Sequence, residues 1–277
     1  MTRILVYSDE GALAESAADH IAAWITQNVA NHGRFALTLS GGSTPRALYQ
    51  RLAAAPRRDR IPWDKVHVFW GDERAVPPSH PESSYRLAQE TLLAKVPMPP
   101  ANVHRLKGEA SDLEAAAAEY EQTLRDYFNL PASAAEEVWP RLDLVLLGLG
   151  PDGHIASLFP DSPALDEGRK WVVATPAAPG EPHVPRLTLT LPVLNHAAQV
   201  IFLVTGAAKA DMAREVLGGS ETGRGLPAVC VHVHPPNGSM MWMLDEAAAG
   251  QLSDLPQVKW AKEAEALAGA PIHSGAV

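Results

Sequence analysis

Short apolar runs alternate with helical patterns along most of this chain, and this alternation constrains the fold more than any other feature. Five runs have the length and composition of strands: 4–7, 35–39, 66–70, 142–147 and 199–205. Between the first two, apolar residues recur at positions 13, 17, 21, 25 and 29, the spacing of one helix face. The pattern predicts an α/β fold with a mainly parallel, Rossmann-like open sheet flanked by helices.

The rest of the chain adds elements of the same kind. Gly33 predicts the end of the first helix, and 207–217 predicts another helix. A stretch with four prolines, 176–185, joins strand-like runs at 171–175 and 186–191 and predicts a loop, either inert or a mobile rim. Without internal repeats or an obvious linker, the sequence predicts a single domain over 1–277, with a flexible tail from about 264.

Charge and cysteine content limit the partners. A net charge of −9 and a pI near 5.6 disfavour nucleic acid and anionic membranes, which attract cationic surfaces. The single cysteine, Cys230, excludes an intrachain disulfide and suits a reducing compartment. The apolar run at 4–7 is too short for a secretion signal, and no run is long enough for a membrane span. We therefore expect a cytoplasmic protein, a monomer or weak homodimer, whose ligand is a small molecule.

The first turn of chemical interest is SGGSTP, between a predicted strand and a predicted helix. Pro45 suits the first helical position, and Thr44 suits the N-cap. Gly41 and Gly42 permit close backbone approach, and Ser43 and Thr44 add hydroxyl donors, so the turn could bind a phosphate. An ordinary capped turn is the alternative. The Lys-Ser/Thr ending of a nucleotide P-loop is missing, which disfavours ATP.

The second turn is Gly71-Asp72-Glu73-Arg74, directly after the run at 66–70. In parallel α/β sheets, ligands bind beyond the carboxyl ends of the strands. The two acids and Arg74 at such an end could form an active site, with Asp72 and Arg74 as candidate residues. A structural ion-pair network is the alternative.

The third turn, 148–154, follows the run at 142–147 and matches G-x-G-x-x-G. A dinucleotide fingerprint should open a long helix, but Pro160 comes seven residues after Gly153. We therefore expect no dinucleotide and no other cofactor. The turn presents Asp152 and His154 at a strand end, where an imidazole with a reference pKa near 6.5 suits proton transfer. A structural histidine is the alternative.

Two cations and two histidines complete the candidates. Arg186 opens a strand and Lys209 lies at a strand-to-helix junction, where both could hold a phosphate, although each could equally be a solvated surface charge. His232 and His234 would share a strand face and could ligate zinc. No acid or thiol partner is evident, so we expect no metal.

Taken together, these segments resemble the 6-phosphogluconolactonase family, a branch of a larger group that contains glucosamine-6-phosphate deaminases. The matching segments are LSGGSTPRALYQRL (39–52), VHVFWGDERAVPPSHPESSYRLAQETLL (66–93), LDLVLLGLGPDGHIASLFP (142–160), PRLTLTLPVLN (185–195) and FLVTGAAKA (202–210). The segment LPAVCVHVHPPNGSMMWMLDEAA (226–248) resembles the closing strand pair of the family. The resemblance runs from about residue 4 to about residue 250.

The resemblance implies a hydrolase of a phosphorylated sugar lactone that acts in the oxidative pentose phosphate pathway. It implies that His154 is the general base and that Arg74 lies near the lactone and stabilises the oxyanion. Asp72 and Asp152 would lie in the pocket, where each could orient His154, the water or sugar hydroxyls. The residues implied around the substrate phosphate are Gly42, Ser43, Arg186 and Lys209.

Two positions bear on the alternatives. Phe159 stands where the deaminases carry a glutamate that helps to open the sugar ring, which favours hydrolysis over a deaminase activity. Ser84 stands where the lactonases usually carry asparagine, which puts a fine positioning role there in doubt. A non-catalytic sugar-phosphate-binding protein is the alternative if His154 has no chemical role.

Overall fold

A parallel sheet of seven strands forms the centre of the molecule. The computed structural model describes residues 2–130, 138–177, 182–220, 222–233 and 238–260. The tail from about 264, His234 and part of the Pro-rich stretch lie outside these ranges. The strands are β1 (Thr2–Tyr7), β2 (Phe35–Leu39), β3 (Val66–Trp70), β4 (Asp72–Arg74), β5 (Leu144–Leu147), β6 (Val172–Thr175), β7 (Arg186–Leu189), β8 (Gln199–Val204), β9 (Ser239–Asp245) and β10 (Val258–Trp260).

The strand order in the central sheet is β10-β1-β9-β8-β5-β2-β3, and every neighbouring pair is parallel. All residues of β2, β5 and β8 are buried, as expected for strands covered on both faces. The α-helices are α1 (Glu10–His32), α2 (Ser43–Leu52), α3 (Arg57–Arg60), α4 (Ser84–Thr91), α5 (Leu113–Phe128), α6 (Leu191–Asn195) and α7 (Ala210–Leu217). The predicted α/β architecture is confirmed.

Local sequence sets the ends of α1. The Asp9 side chain accepts a hydrogen bond from the Ala12 amide at 2.8 Å, which caps the first turn. Gly33 ends the helix in the left-handed conformation (φ 79°), and its N–H donates to the Val29 carbonyl. The predicted helix and its glycine stop are therefore confirmed.

A second sheet of three antiparallel strands, in the order β4-β7-β6, was not predicted as a separate unit. Strand β4 is only Asp-Glu-Arg, so it has no apolar pattern to reveal it. The run predicted as a strand over 186–191 ends at Leu189, because Thr190 and Pro192 begin helix α6.

The helix predicted over 207–217 is confirmed: a 3₁₀ turn, Ala207–Lys209, leads directly into α7. Two other local predictions were wrong. Helix α2 begins at Ser43, so Gly42 and not Thr44 is its N-cap, and Pro45 is the third helical residue. Of the expected closing strand pair, β9 is the one strand among the described residues. The His232 backbone lies in no strand, and the His232 ring contacts the Cys230 carbonyl at 3.0 Å, whereas His234 lies outside the described residues.

An aromatic cluster at the β3 edge of the sheet gives the fold a pH dependence. The His104 ring stacks on Phe69 with centroids 4.6 Å apart, and its Nε2 lies 3.1 Å from Nδ1 of His67. Burial lowers the pKa of His104 to about 4 and also lowers the pKa of His67. In the unfolded chain an imidazole takes up its proton near pH 6.5. Between pH 6.5 and 4 the unfolded state therefore binds more protons, and stability is lost as the pH falls.

We therefore expect the Tm to fall between pH 7 and pH 4, and to fall less in His104→Phe, which keeps the ring stack but cannot be protonated. Circular dichroism melts of both proteins at several pH values measure this difference. An identical pH dependence of the two Tm values would contradict the role of His104.

Candidate active site

A cleft of about 230 Å³ opens where four neighbouring strands of the central sheet end. Strands β8, β5, β2 and β3 are consecutive in the sheet, and because they are parallel, their carboxyl ends share one edge. The lining residues are Ser40, Gly41, Gly42, Ser43, Thr44, Pro45, Asp72, Arg74, Ser84, Gly148, Leu149, Gly150, Pro151, His154, Ala156, Arg186, Leu203, Val204, Thr205 and Lys209. Turns that are far apart in the chain therefore meet at this edge.

Glycines shape the turn between β2 and α2. Gly42 has a φ of 106°, a conformation that side chains with a β-carbon rarely adopt. A β-carbon on Gly41 would lie 2.9 Å from Nη1 of Arg74 and would overlap the Ser84 hydroxyl. The absence of a side chain at Gly41 allows the backbone before α2 to approach the Arg74 guanidinium, and Gly42 allows the positive φ of the turn.

The acids after β3 have different environments. Glu73 is 3% exposed and accepts four hydrogen bonds: from the Arg74, Ser84 and Tyr85 amides and from the Ser83 hydroxyl. Burial raises the pKa of the Glu73 carboxyl against the effect of these bonds. Glu73 therefore ties β4 to the start of α4 and does not line the cleft.

Asp72 does line the cleft, although its side chain is largely buried. Its Oδ2 accepts a hydrogen bond from the Ser157 hydroxyl at 2.7 Å, and the Ser157 amide donates to the Thr188 hydroxyl at 3.2 Å. Ser157 thus connects the chain after β5 to β4 and β7 of the small sheet. Sequence reasoning did not single out Ser157, since one serine within an apolar stretch carries no signal of its own.

Two arginines face each other across the small sheet. Arg74 and Arg186 are register partners in the antiparallel pair β4–β7. Nη1 of Arg74 donates to the Glu82 carbonyl at 2.9 Å and lies 3.4 Å from the Ser84 hydroxyl, whereas the buried Nε atoms of both arginines have no hydrogen-bond partner within the described residues. Burial, together with the nearby Arg74 charge, lowers the pKa of Arg186. Like charges opposite each other repel, so this pair favours an anion between or beside them.

His154 forms a hydrogen-bonded pair with Asp152. Nδ1 of His154 lies 2.5 Å from Oδ1 of Asp152, and the His154 amide donates to the same oxygen at 3.2 Å. Partial burial alone would raise the pKa of Asp152, but the His154 imidazole and these hydrogen bonds outweigh it, so the pKa of Asp152 is lowered. A carboxylate only accepts, so Nδ1 carries the hydrogen of the bond and Nε2 keeps its lone pair.

The glycine turn after β5 is fitted to this imidazole. A β-carbon on Gly150 would overlap Nδ1 and Cε1 of the His154 ring, and the Gly150 amide donates to the His154 carbonyl at 2.8 Å. Gly153 has a φ of 82°. The motif that resembles a dinucleotide fingerprint therefore serves to hold a histidine, and 148–154 leads into turns and not into a helix.

We expect Gly150→Ala to displace the imidazole and to lower kcat about 10- to 100-fold, since small misplacements of a catalytic group cost about 10²-fold in rate. Gly168→Ala is the matched control, because Gly168 lies outside the cleft and a β-carbon there meets nothing within 4 Å. Steady-state kinetics with the substrate proposed below measure both variants. Equal kcat values for the two would contradict this account of Gly150.

Phe159 lies beside the His154 imidazole and the Arg186 guanidinium. Its ring centroid is 4.4 Å from that of His154, and the Arg186 guanidinium carbon lies 5.7 Å from the Phe159 centroid. Phe159 is largely buried, so it presents an apolar face to both groups. The sequence distinguishes Phe159 only as the residue that replaces an acid, and these contacts become visible only in three dimensions.

The turn after β8 contributes Thr205 and Lys209. The Thr205 hydroxyl lies 2.7 Å from that of Thr44, which joins this turn to the start of α2. The Gly206 amide donates to both oxygens of the buried Asp245 at 3.0 Å, which holds the turn against the end of β9. Burial lowers the pKa of Lys209, whereas the Asp152 carboxylate acts in the opposite direction.

The structure gathers the predicted site residues at one edge of the sheet. Nine of the ten line the cleft: Gly41, Gly42, Ser43, Thr44, Asp72, Arg74, His154, Arg186 and Lys209. The tenth, Asp152, reaches the cleft through its bond to His154. Thr205 was missed, although its place before Gly206 at the end of a buried strand repeats the pattern of the other site turns.

The described residues also bear on metal binding and on membrane insertion. Within the described ranges, no three His, Cys, Asp or Glu side chains come together as ligands for a metal ion. The described helices include none of the length and apolar character needed to cross a membrane. His234, half of the pair considered for zinc, lies outside the described residues.

The fold and the cleft define an α/β protein that combines three cations with a histidine–aspartate pair at the ends of parallel strands. The family model for glucosamine-6-phosphate isomerases/6-phosphogluconolactonase matches residues 8–242. This chain therefore belongs to that family, as the sequence resemblance predicted.

Individual relatives agree with the match. A 6-phosphogluconolactonase of Synechocystis is 40% identical over 240 residues, covering 87% of this chain and 94% of the relative. A probable chloroplastic 6-phosphogluconolactonase of Oryza sativa is 39% identical over 254 residues, covering 91% of this chain and 76% of the relative. The solved 6-phosphogluconolactonase of Trypanosoma cruzi has a TM-score of 0.77 at 29% identity, covering 91% of this chain and 97% of that chain.

Proposed function

We propose that this protein hydrolyses 6-phospho-D-glucono-1,5-lactone to 6-phosphogluconate, in the oxidative pentose phosphate pathway. The observation that carries the proposal is the His154–Asp152 pair at 2.5 Å, in a cleft that Arg74, Arg186 and Lys209 also line. The pair provides a base, and the cations suit an anionic substrate. The relatives named as 6-phosphogluconolactonases support the choice of the lactone.

In this proposal His154 activates the attacking water. Asp152 holds the Nδ1–H tautomer, so Nε2 takes a proton from water while the water oxygen forms a bond to the lactone carbonyl carbon. The tetrahedral intermediate collapses by breaking the bond to the ring oxygen, and that oxygen receives the proton from Nε2. One water is consumed and a carboxylic acid is formed, which ionises at neutral pH.

The developing oxyanion is assigned to Arg74. Its guanidinium is held by the Glu82 carbonyl and lies beside Ser84, so it needs little reorganisation during the reaction. A positioned donor of this kind stabilises charge that appears only in the transition state. A lactone is an activated ester, so a base and an oxyanion donor are sufficient catalysis without a cofactor or a serine nucleophile.

The phosphate end of the substrate is assigned to Gly41, Gly42, Ser43 and Thr44 at the start of α2, together with Arg186 and Lys209. The ten-residue helix α2 directs its first N–H groups toward this turn, where no side chain caps them. The side chains of Arg186 and Lys209 add full positive charges to the partial positive charges of these N–H groups. Binding at this end would place the lactone carbonyl beside the water.

Asp72 is assigned to a sugar hydroxyl. Its Oδ2 is engaged by Ser157, which leaves Oδ1 to accept from a substrate hydroxyl at the cleft wall. Asp152, in contrast, acts on the imidazole and not on the sugar.

The test is acid release from freshly prepared lactone, followed in weakly buffered solution with a pH indicator. We expect release well above the spontaneous rate for the phosphorylated lactone and no ammonia from glucosamine 6-phosphate. Ammonia release without lactone hydrolysis would favour a deaminase. Tight binding of 6-phosphogluconate without turnover of either substrate would favour a binding protein.

We also propose that the protein is a single domain with a cytoplasmic location. We propose that it is a monomer or weak homodimer without nucleic-acid or membrane partners. A single cysteine and the net charge of −9 support the location and the absence of polyanionic partners. Among the described residues, Val138 is the one large apolar side chain that is exposed. Strong self-association usually needs a larger apolar patch, so this surface supports weak self-association at most.

A further inference from the structure

Two threonine hydroxyls meet at the end of the cleft that is assigned to the phosphate. Oγ1 of Thr44, in the first turn of α2, lies 2.7 Å from Oγ1 of Thr205, at the end of β8. Strands β2 and β8 are separated in the sheet by β5, so this bond joins two turns that are not neighbours. Both threonines line the cleft and are half-buried.

A count of hydrogens shows that the pair has one donor to spare. Two hydroxyls carry two hydrogens, and the bond between them uses one. Within the described residues, neither hydroxyl makes another hydrogen bond to protein. One hydrogen therefore remains for a ligand in the cleft.

The surroundings decide which threonine holds that hydrogen. Thr44 belongs to the glycine turn, where the uncapped N–H groups of α2 favour an anion. Thr205 precedes Gly206, whose amide is already bound to both oxygens of Asp245. The Asp245 carboxylate makes that side less favourable for an anion, so the anion belongs beside Thr44.

We propose that Thr205 is a positioning residue for the phosphate end of the substrate: it donates its hydrogen to Oγ1 of Thr44 and thereby directs the Thr44 hydrogen to a phosphoryl oxygen. A hydroxyl that accepts one hydrogen bond also becomes a better donor. This inference rests on the proposed function, because it takes the anion to be the phosphate of the lactone.

Thr205→Val removes the hydroxyl with little change in shape. We expect it to raise the KM for the phosphorylated lactone about fivefold, the loss typical of one neutral hydrogen bond, with kcat within about twofold. Thr205→Ser keeps the hydroxyl and should restore the KM. The KM for unphosphorylated glucono-1,5-lactone should be the same in all three proteins.

A double-mutant cycle separates positioning from a structural role. If Thr205 acts through Thr44, then Thr205→Val should change the KM less than about twofold when Thr44→Val is already present. Equal effects in both backgrounds, an unchanged KM in Thr205→Val, or an equal loss with the unphosphorylated lactone would overturn the inference. Melting temperatures of all variants check that each is folded.

Calorimetry keeps this test distinct from that of the proposed function. The Kd of 6-phosphogluconate, compared with that of gluconate, needs no turnover. If Thr205→Val weakens the binding of 6-phosphogluconate but not that of gluconate, the inference is supported even in a protein that hydrolyses no lactone. A wild-type protein that does not distinguish the two ligands would overturn it even if hydrolysis is observed.

Discussion

His154→Ala is expected to lower kcat for the phosphorylated lactone by about 10²–10⁴-fold, the usual contribution of a general base. The variant loses the nitrogen that accepts the proton of water, while the cations of the cleft stay in place. The Kd of 6-phosphogluconate should therefore change little. Stopped-flow acid release and calorimetry measure the two quantities separately.

The matched control is His32→Ala, at an exposed position in the last turn of α1. It removes the same side chain outside the cleft and should keep the wild-type kcat. A His154→Ala protein with near-normal turnover, and with a melting temperature like that of the wild type, would rule out the base assigned here.

Arg74→Met and Arg186→Met are expected to change different kinetic constants, although the two arginines are register partners on β4 and β7. Arg74→Met should lower kcat by about 10²–10³-fold, the typical cost of losing an oxyanion donor. Arg186→Met should raise the KM by about 10- to 100-fold, because a hydrogen bond to a charged group contributes about 1.5–3 kcal/mol to binding. Steady-state kinetics of both variants give the comparison.

The unphosphorylated lactone sharpens this comparison. It lacks the group assigned to Arg186, so Arg186→Met should leave its KM unchanged, whereas Arg74→Met should still lower its kcat. If Arg74→Met changes only the KM and Arg186→Met only kcat, the assignments must be exchanged. Lys209→Met should behave like Arg186→Met, since both cations are assigned to the phosphate.

Much of the central sheet could be predicted from the sequence. The strands β2, β3 and β8 are largely apolar runs, and a cap and a stop residue mark the two ends of α1. Elements held by their neighbours could not be predicted. Strand β4 has three charged residues and exists because it pairs with β7, and β10 has three residues that pair with β1. Neither carries a pattern long enough to recognise.

The sequence predicts those residues of the candidate site that lie just beyond the end of a strand. Asp72, Arg74 and His154 lie in the segments that follow apolar runs, and the parallel topology brings the ends of those runs to one edge. The sequence could not indicate the pairing of the Thr44 and Thr205 hydroxyls, since 161 residues separate them. For the same reason the bond between Ser157 and Asp72 became visible only in three dimensions.

Glu73 couples the integrity of the fold to the position of the Arg74 guanidinium. One inaccessible carboxylate holds the peptide nitrogens of Arg74 and Ser84, which place the guanidinium and the hydroxyl next to it. A change at Glu73 therefore cannot alter catalysis without also weakening the α4 end of the domain. Attempts to redesign the cleft for other lactones have more freedom at Ser84, whose side chain touches the guanidinium but anchors no helix.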